Sequence, residues 1–317
     1  VPRILTNVHN TEVNSKLRRL YAGEKEGAAL VRYDSYTEER ESFNDNEGNQ
    51  ISATKYRVFF YELHSGVRRS IYFGHTCLKE FVAHSVQKML IPSIEHGDIP
   101  YVIAEQVAIK ECPTLRGNTK LIIALCDASL MAYHPAQFFF NSLKRLAGRN
   151  LPATAEEMYD YLYNEVIFQY KGRQESVNSL FEATSKMAEQ VLADALKSDI
   201  FRPNYIWVSH ILKEARELRL ENPAFITQLV TEDHEVSTTC YEIFQRLGTP
   251  FFTNRKHAGR FIPPRGIAHL AIQPFQLRVF MEVIRTLFGE KGGCSMHTFC
   301  KTRIDKDMTS ADCLSSP

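Results

Sequence analysis

Residues Tyr56 to Leu90, YRVFFYELHSGVRRSIYFGHTCLKEFVAHSVQKML, decide how the rest of the chain is read. Tyr56 to Leu63 is rich in aromatic and β-branched residues, which suit a pleated, half-buried surface. His64-Ser65-Gly66 is a short turn, with glycine available for a positive φ. Val67 to Phe73 alternates: Val67, Arg69, Ile71 and Phe73 share one face, and Arg68, Ser70 and Tyr72 the other. Gly74 breaks the strand. Thr76 is placed to cap a helix in which Leu78, Phe81, Val82, Val86, Met89 and Leu90 recur at helical spacing. Pro92 forces that helix to stop. The unit is therefore a β-hairpin feeding a helix whose first turn carries Cys77, the shape of the second half of a treble-clef zinc finger.

Within it, GHTCLKEF (Gly74 to Phe81) resembles the VGSTCLKDF element of uncharacterised phage and mobile-element proteins. In those proteins a Cys-x-x-Cys knuckle precedes the hairpin, and the cysteine of the TCL element completes a zinc site. Here no cysteine precedes Cys77, so the resemblance implies the hairpin-helix shape and a viral or mobile-element origin, but no metal at this place.

The 317 residues suffice for two domains or one large one, and 44% apolar with 24% charged residues is ordinary for a globular chain. A net charge of +1 predicts no polyanion partner by itself, so any nucleic-acid surface must be local. No stretch approaches the ~18 uninterrupted apolar residues of a membrane span. The start, VPRILTNVHN, shows no signal-peptide core, and the seven cysteines are irregularly spaced. These features lead us to expect reduced thiols in a cytoplasmic compartment, that of the host cell if the protein is viral, and no membrane partner.

Outward from the organising stretch, a short helix is expected over Thr11–Tyr21 and a strand over Ala29–Tyr36. Glu38 to Gln50 reads as an exposed loop or hairpin tip. The apolar runs Tyr101–Ile109 and Lys120–Cys126 fit strand or helix equally. Pro135 and Gly148 bracket a helix over Ala136–Ala147. Thr154 to Glu157 is a capping box for a helix reaching about Tyr170. Further helices are predicted over Glu175–Lys197, Pro203–Leu220, Val236–Leu247 and Pro274–Phe288, with a short one after Asn222-Pro223. The expected class is an α+β N-terminal half, built on a small, mostly antiparallel sheet, followed by an all-α helical half. The expected domains are 1–150 and 151–290, with 291–317 as a tail or small metal-stabilised knuckle.

Three places could carry chemistry. The segment Arg246–Arg265, RLGTPFFTNRKHAGRFIPPR, has no acid; it joins Arg246, Arg255, Lys256, His257, Arg260 and Arg265 with phenylalanines, Phe252 among them. Cations beside aromatics on a loop suit phosphate contacts and base stacking. They also suit an acidic protein, or a surface loop whose phenylalanines plug the helical core. Cys294, His297, Cys300 and Cys313 supply four ligands of the kinds zinc takes, or are incidental to an extended tail. Gln169-x-Lys171, with Asp160 or Glu165 upstream, has the form of a metal-dependent nuclease core but is read at the end of a helix, where that chemistry does not fit. Asp127 is a lone acid after the apolar run KLIIALC, at a strand end if that run is a strand, and has no partner identifiable from the sequence. Cys77, beside His75 and near His64 and His84, either has a lowered thiol pKa at its helix start or is a packed core residue, the commoner role for such a position. Trp207 fits the apolar face of its helix, or an interhelical contact, better than a ligand cage. No Gly-rich phosphate loop, G-x-S-x-G or H-E-x-x-H is present.

The expected function is a non-enzymatic nucleic-acid-binding protein of viral or mobile-element origin, acting through 246–265. The cofactor is none or a structural zinc. The alternatives are a protein–protein assembly, scaffolding or host-takeover factor, and a metal-dependent nuclease.

Overall fold

The computed structural model describes residue 23, residues 30–44, 48, 50–170, 173–195, 202–249, 252–253, 259–260 and 262–267. The helices expected over Thr11–Tyr21 and Pro274–Phe288 lie outside these residues. An N-terminal three-stranded antiparallel sheet is followed by mostly helical segments.

Strand β1 (Val31–Asn44) pairs with β2 (Gln50–Glu62), and β2 with β3 (Arg68–Phe73). Most of the run 38–50 is thus strand, not loop. Its acids sit in β1 because β2 carries cations across from them: Arg57 Nε donates to Glu39 Oε1 at 2.6 Å, and Lys55 pairs with Glu41. Cross-strand pairs of opposite charge stabilise a sheet by about 0.2–1 kcal/mol each. The outer face continues with Arg68, held by Asp34 at 2.8 Å and lying 4.4 Å over the Phe59 ring. The β1 edge is closed at its start by side chains. Val31 N donates to Asp98 Oδ2 at 2.7 Å and Tyr33 N to Gln106 Oε1 at 2.8 Å.

The inner face presents Tyr56, Val58, Phe60, Ile71 and Phe73, all buried. Helix α1 (His75–Leu90) packs Leu78 and Phe81 into the same core. It begins two residues earlier than the sequence predicts: Gly74 is the N-cap, and Thr76 is buried in the first turn. The two ambiguous apolar runs are helices, α2 (Ile103–Glu111) and α3 (Thr119–Leu130). Every residue of α3 from Leu121 to Ser129 is buried, which removes the amphipathic pattern that would have identified it. Helix α4 (Pro135–Leu146) slides Phe138, Phe139 and Phe140 beneath the sheet. Phe140 stacks on Tyr36 at 4.2 Å and on Tyr56 at 4.7 Å. His134 caps α4 through Nδ1, which accepts from Gln137 N at 3.3 Å; its Nε2 donates to Thr54 O of β2 at 2.6 Å.

Helix α5 (Ala155–Asp160) opens as expected, with Glu157 N donating to Thr154 Oγ1 at 3.2 Å. It does not run to Tyr170. Tyr161–Glu165 widens into a π turn, and the β-branched and aromatic run after it forms a hairpin, β4 (Ile167–Tyr170) with β5 (Arg173–Ser176). Helices α6 (Val177–Ala195), α7 (Arg202–Glu221) and α8 (Thr238–Leu247) follow, with a 3₁₀ turn at Phe225–Gln228 between the last two. The core is continuous from Val31 through Val166 to Val177 and Ala224. No helix among the described residues is long and apolar enough to cross a membrane.

Candidate nucleic-acid interface

Helix α8 is the base from which the basic segment starts. Ser237 caps it, accepting from Cys240 N at 3.3 Å and donating to Gln228 O. At the other end Gly248 has φ +74° and its N–H donates to Phe244 O at 2.9 Å. A Cβ at this position would stand 2.4 Å from Ile262 O, so both the backbone conformation and the returning chain require glycine.

The segment that follows is a hairpin rather than a loop. Phe252 pairs with Arg260 and Thr253 with Gly259, forming β6 (Phe252–Thr253) and β7 (Gly259–Arg260). Its base is tied off by Thr249 N to Ile262 O at 2.9 Å, Ile262 N to Thr249 Oγ1 at 2.8 Å and Arg265 N to Gln245 O at 2.8 Å. Arg260 thus sits on a strand opposite Phe252, and Arg265 is exposed at the base. Arg255, Lys256 and His257 belong to the connection between the strands and lie outside the described residues.

Arg246 points elsewhere. It is on the opposite side of α8 and turns back onto α7, where Nε donates to Glu214 at 3.0 Å and Nη1 to Glu221 at 2.7 Å. The Glu221 hydrogen bond, with Glu214 beside it, raises its pKa further. Its charge is spent within the protein.

Two features of the site escape the motif reading. The acid-free run is longer than the segment singled out, extending from Ile243 to Met281. And α8 has no buried residue: Tyr241 is 59% exposed and Phe244 40% exposed. Helical spacing places Tyr241, Phe244 and Gly248 on one face, opposite Arg246. The sequence TTCYEIFQRL shows the two aromatics, but which face of the helix packs is decided by the fold.

The other candidates resolve differently. Asp127 is not at a strand end; it lies buried on α3, clasped by Arg219 and accepting from Tyr159 Oη at 2.7 Å. Gln169 is on β4, not on a helix. Asp160 accepts from Asn164 at 2.7 Å, and Glu165 faces Arg149 at 3.7 Å. No group of three or more His, Cys, Asp or Glu among the described residues could hold a metal ion. Cys77 is fully buried, and burial pushes its thiol up to about 12, the reverse of an activated nucleophile. Trp207 is half-buried on α7, its Nε1 without a hydrogen bond. Cys294, His297, Cys300 and Cys313 lie outside the described residues.

No family model, curated protein or solved structure matches the chain.

Proposed function

We propose that this chain is a non-enzymatic nucleic-acid-binding protein of viral or mobile-element origin, which contacts phosphates through the hairpin spanning Thr249–Arg265. One observation carries the reading. The acid-free segment is a hairpin closed at its base by Thr249 and Ile262 and tied to α8 by one backbone bond, Arg265 N to Gln245 O, while the sheet's outer cations Lys55, Arg57 and Arg68 are each matched by a carboxylate. Arg255, Lys256, Arg260 and Arg265 form the contact set. Arg246 is removed from it because Glu214 and Glu221 already hold it.

The test is the salt dependence of binding to DNA and RNA. Each phosphate contact contributes about 0.7–0.9 to the slope of log affinity against log salt. Replacing Arg255, Lys256 and Arg260 by alanine lowers affinity and flattens that slope, whereas Arg246→Ala leaves the slope intact. Absence of binding at low salt overturns the reading. Magnesium-dependent cleavage lost in Lys171→Ala would favour a nuclease instead.

A second reading, an assembly or scaffolding factor, is favoured by the aliphatic end of the sheet. Leu30, Leu63 and Val67 are all about half exposed or more. They are brought together by Leu63 N donating to Leu30 O and Glu62 N to Val67 O, both at 3.0 Å. Loss of a co-purifying protein on Leu30→Ser with Leu63→Ser would support it.

A further inference from the structure

We propose that α8 completes this interface with a stacking surface for unpaired bases, so that the ligand is a single strand rather than a duplex. The inference rests on the phosphate-contacting role of the hairpin and adds the other half of what a single strand requires. Nonspecific single-strand binding combines cations that follow the backbone with aromatic faces that receive bases. A duplex keeps its bases stacked inside and offers no such faces.

The aromatics are where that arrangement needs them. Tyr241 and Phe244 are three residues apart on one helix face, so their side chains are neighbours. Gly248 is one turn further along the same face, and the backbone of Ile262, itself 60% exposed, passes directly over it. The row Tyr241, Phe244, Ile262 therefore leads from the helix onto the hairpin. Arg265 is joined to Gln245 through its backbone and stands exposed beside the same turn. An aromatic on a surface helix normally turns inward, because burying it is worth about 1.5–3 kcal/mol. Here the opposite face already packs on α7, with Arg246 anchored between Glu214 and Glu221, so Tyr241 and Phe244 are left outward on a helix whose orientation is fixed. The occupant is chosen by charge: Arg265 stands exposed beside this row, and from Leu247 to Met281 the chain carries five lysine or arginine residues and no carboxylate.

The experiment compares a fluorescein-labelled oligodeoxythymidine of about 20 nucleotides, an oligouridine of the same length and a mixed-sequence duplex by anisotropy, with the full chain and its variants. Both single strands bind more tightly than the duplex. Tyr241→Ala and Phe244→Ala each weaken single-strand binding by about 5- to 150-fold and leave the salt slope unchanged. Tyr241→Phe and Phe244→Tyr retain binding. The thermal melt of Tyr241→Ala matches the parent, because that side chain is 59% exposed. If the duplex binds as well as the single strands and the alanine variants bind like the parent, the stacking surface is refuted while the phosphate reading stands. If none of the three binds at low salt, the proposed function itself fails. If polyglutamate competes as effectively as the oligonucleotide, the surface takes an acidic protein segment and the single-strand inference is overturned.

Discussion

Arg219 and Asp127, 92 residues apart in sequence, form a buried ion pair in which both terminal nitrogens of the guanidinium reach the carboxylate. Only 8% of Arg219 and 4% of Asp127 is exposed. Tyr159 Oη supplies a further hydrogen bond to Asp127, Pro223 O accepts from Arg219 at 3.3 Å, and the Phe225 ring lies 4.3 Å beneath the guanidinium. Burial works against the charge of Arg219, and Asp127 more than offsets it, so its pKa is raised. The pair pins α7 to α3.

Removing one partner leaves an uncompensated charge in a dry site. Asp127→Ala or Arg219→Met should each destabilise the protein by about 3–5 kcal/mol. The double variant Asp127→Leu with Arg219→Met should recover much of that loss, since a matched apolar pair costs no desolvation. Denaturant melts of the two singles and the double test this. A double variant as unstable as the sum of the singles would contradict it.

Gly248→Ala should loosen the hairpin without touching a single cation. The positive φ and the 2.4 Å approach to Ile262 O both oppose a side chain. Amide exchange at Thr249 and Ile262, whose N–H groups tie the base, should accelerate, and oligonucleotide affinity should fall with it. Unchanged exchange at both amides would refute the role given to this glycine.

Stability should fall on the acid side of neutrality. Burial lowers the pKa of His84, with His96 and Lys88 adding to the effect, and burial also lowers that of His134. Both groups bind a proton more readily in the unfolded chain, so their contribution is full above the ordinary histidine value of about 6.5 and is lost as pH falls below it. At His134 the added proton would go on Nδ1, which caps Gln137 N. His84→Leu should flatten the acid limb at no cost near neutrality, because His84 is buried with Nδ1 unpartnered. A pH profile identical to the parent's would disprove the assignment.

Native thiol labelling should spare Cys77, Cys112 and Cys126, which are buried. Cys240, half-buried on α8, should be modified before them. Peptide mapping after brief exposure to an alkylating agent reads the order directly. Modification of Cys77 ahead of Cys240 would contradict its placement in the core.

The hairpin and helix of Tyr56–Leu90 were legible because alternation, turn and helical spacing all agree there. The reach of β1 through Glu38–Asn44 was hidden: polar residues signal a loop unless their partners on the facing strand are known, and Lys55 and Arg57 supply that knowledge only once the register is fixed. The π turn at Tyr161–Glu165 defeated the helix expected to continue to Tyr170, since a capping box fixes where a helix starts and not where it ends. Asp127 and Arg246 were misjudged for one reason. A charge is classified by its partner, and Arg219, Glu214 and Glu221 are brought to them by tertiary packing. The basic segment itself was visible from composition, but its hairpin form and the outward row on α8 required the fold.

The acid-free run has a consequence for the molecule as a whole. Its six lysine and arginine residues, set against none of the acids, leave 32 cations and 37 acids elsewhere, a remainder of −5. Read along the chain, a net charge of +1 thus divides into a cationic segment and an anionic remainder. If the proposed function holds, this division would draw a polyanion to the segment and repel it from the remainder, and the steering would weaken as salt shortens the reach of the field.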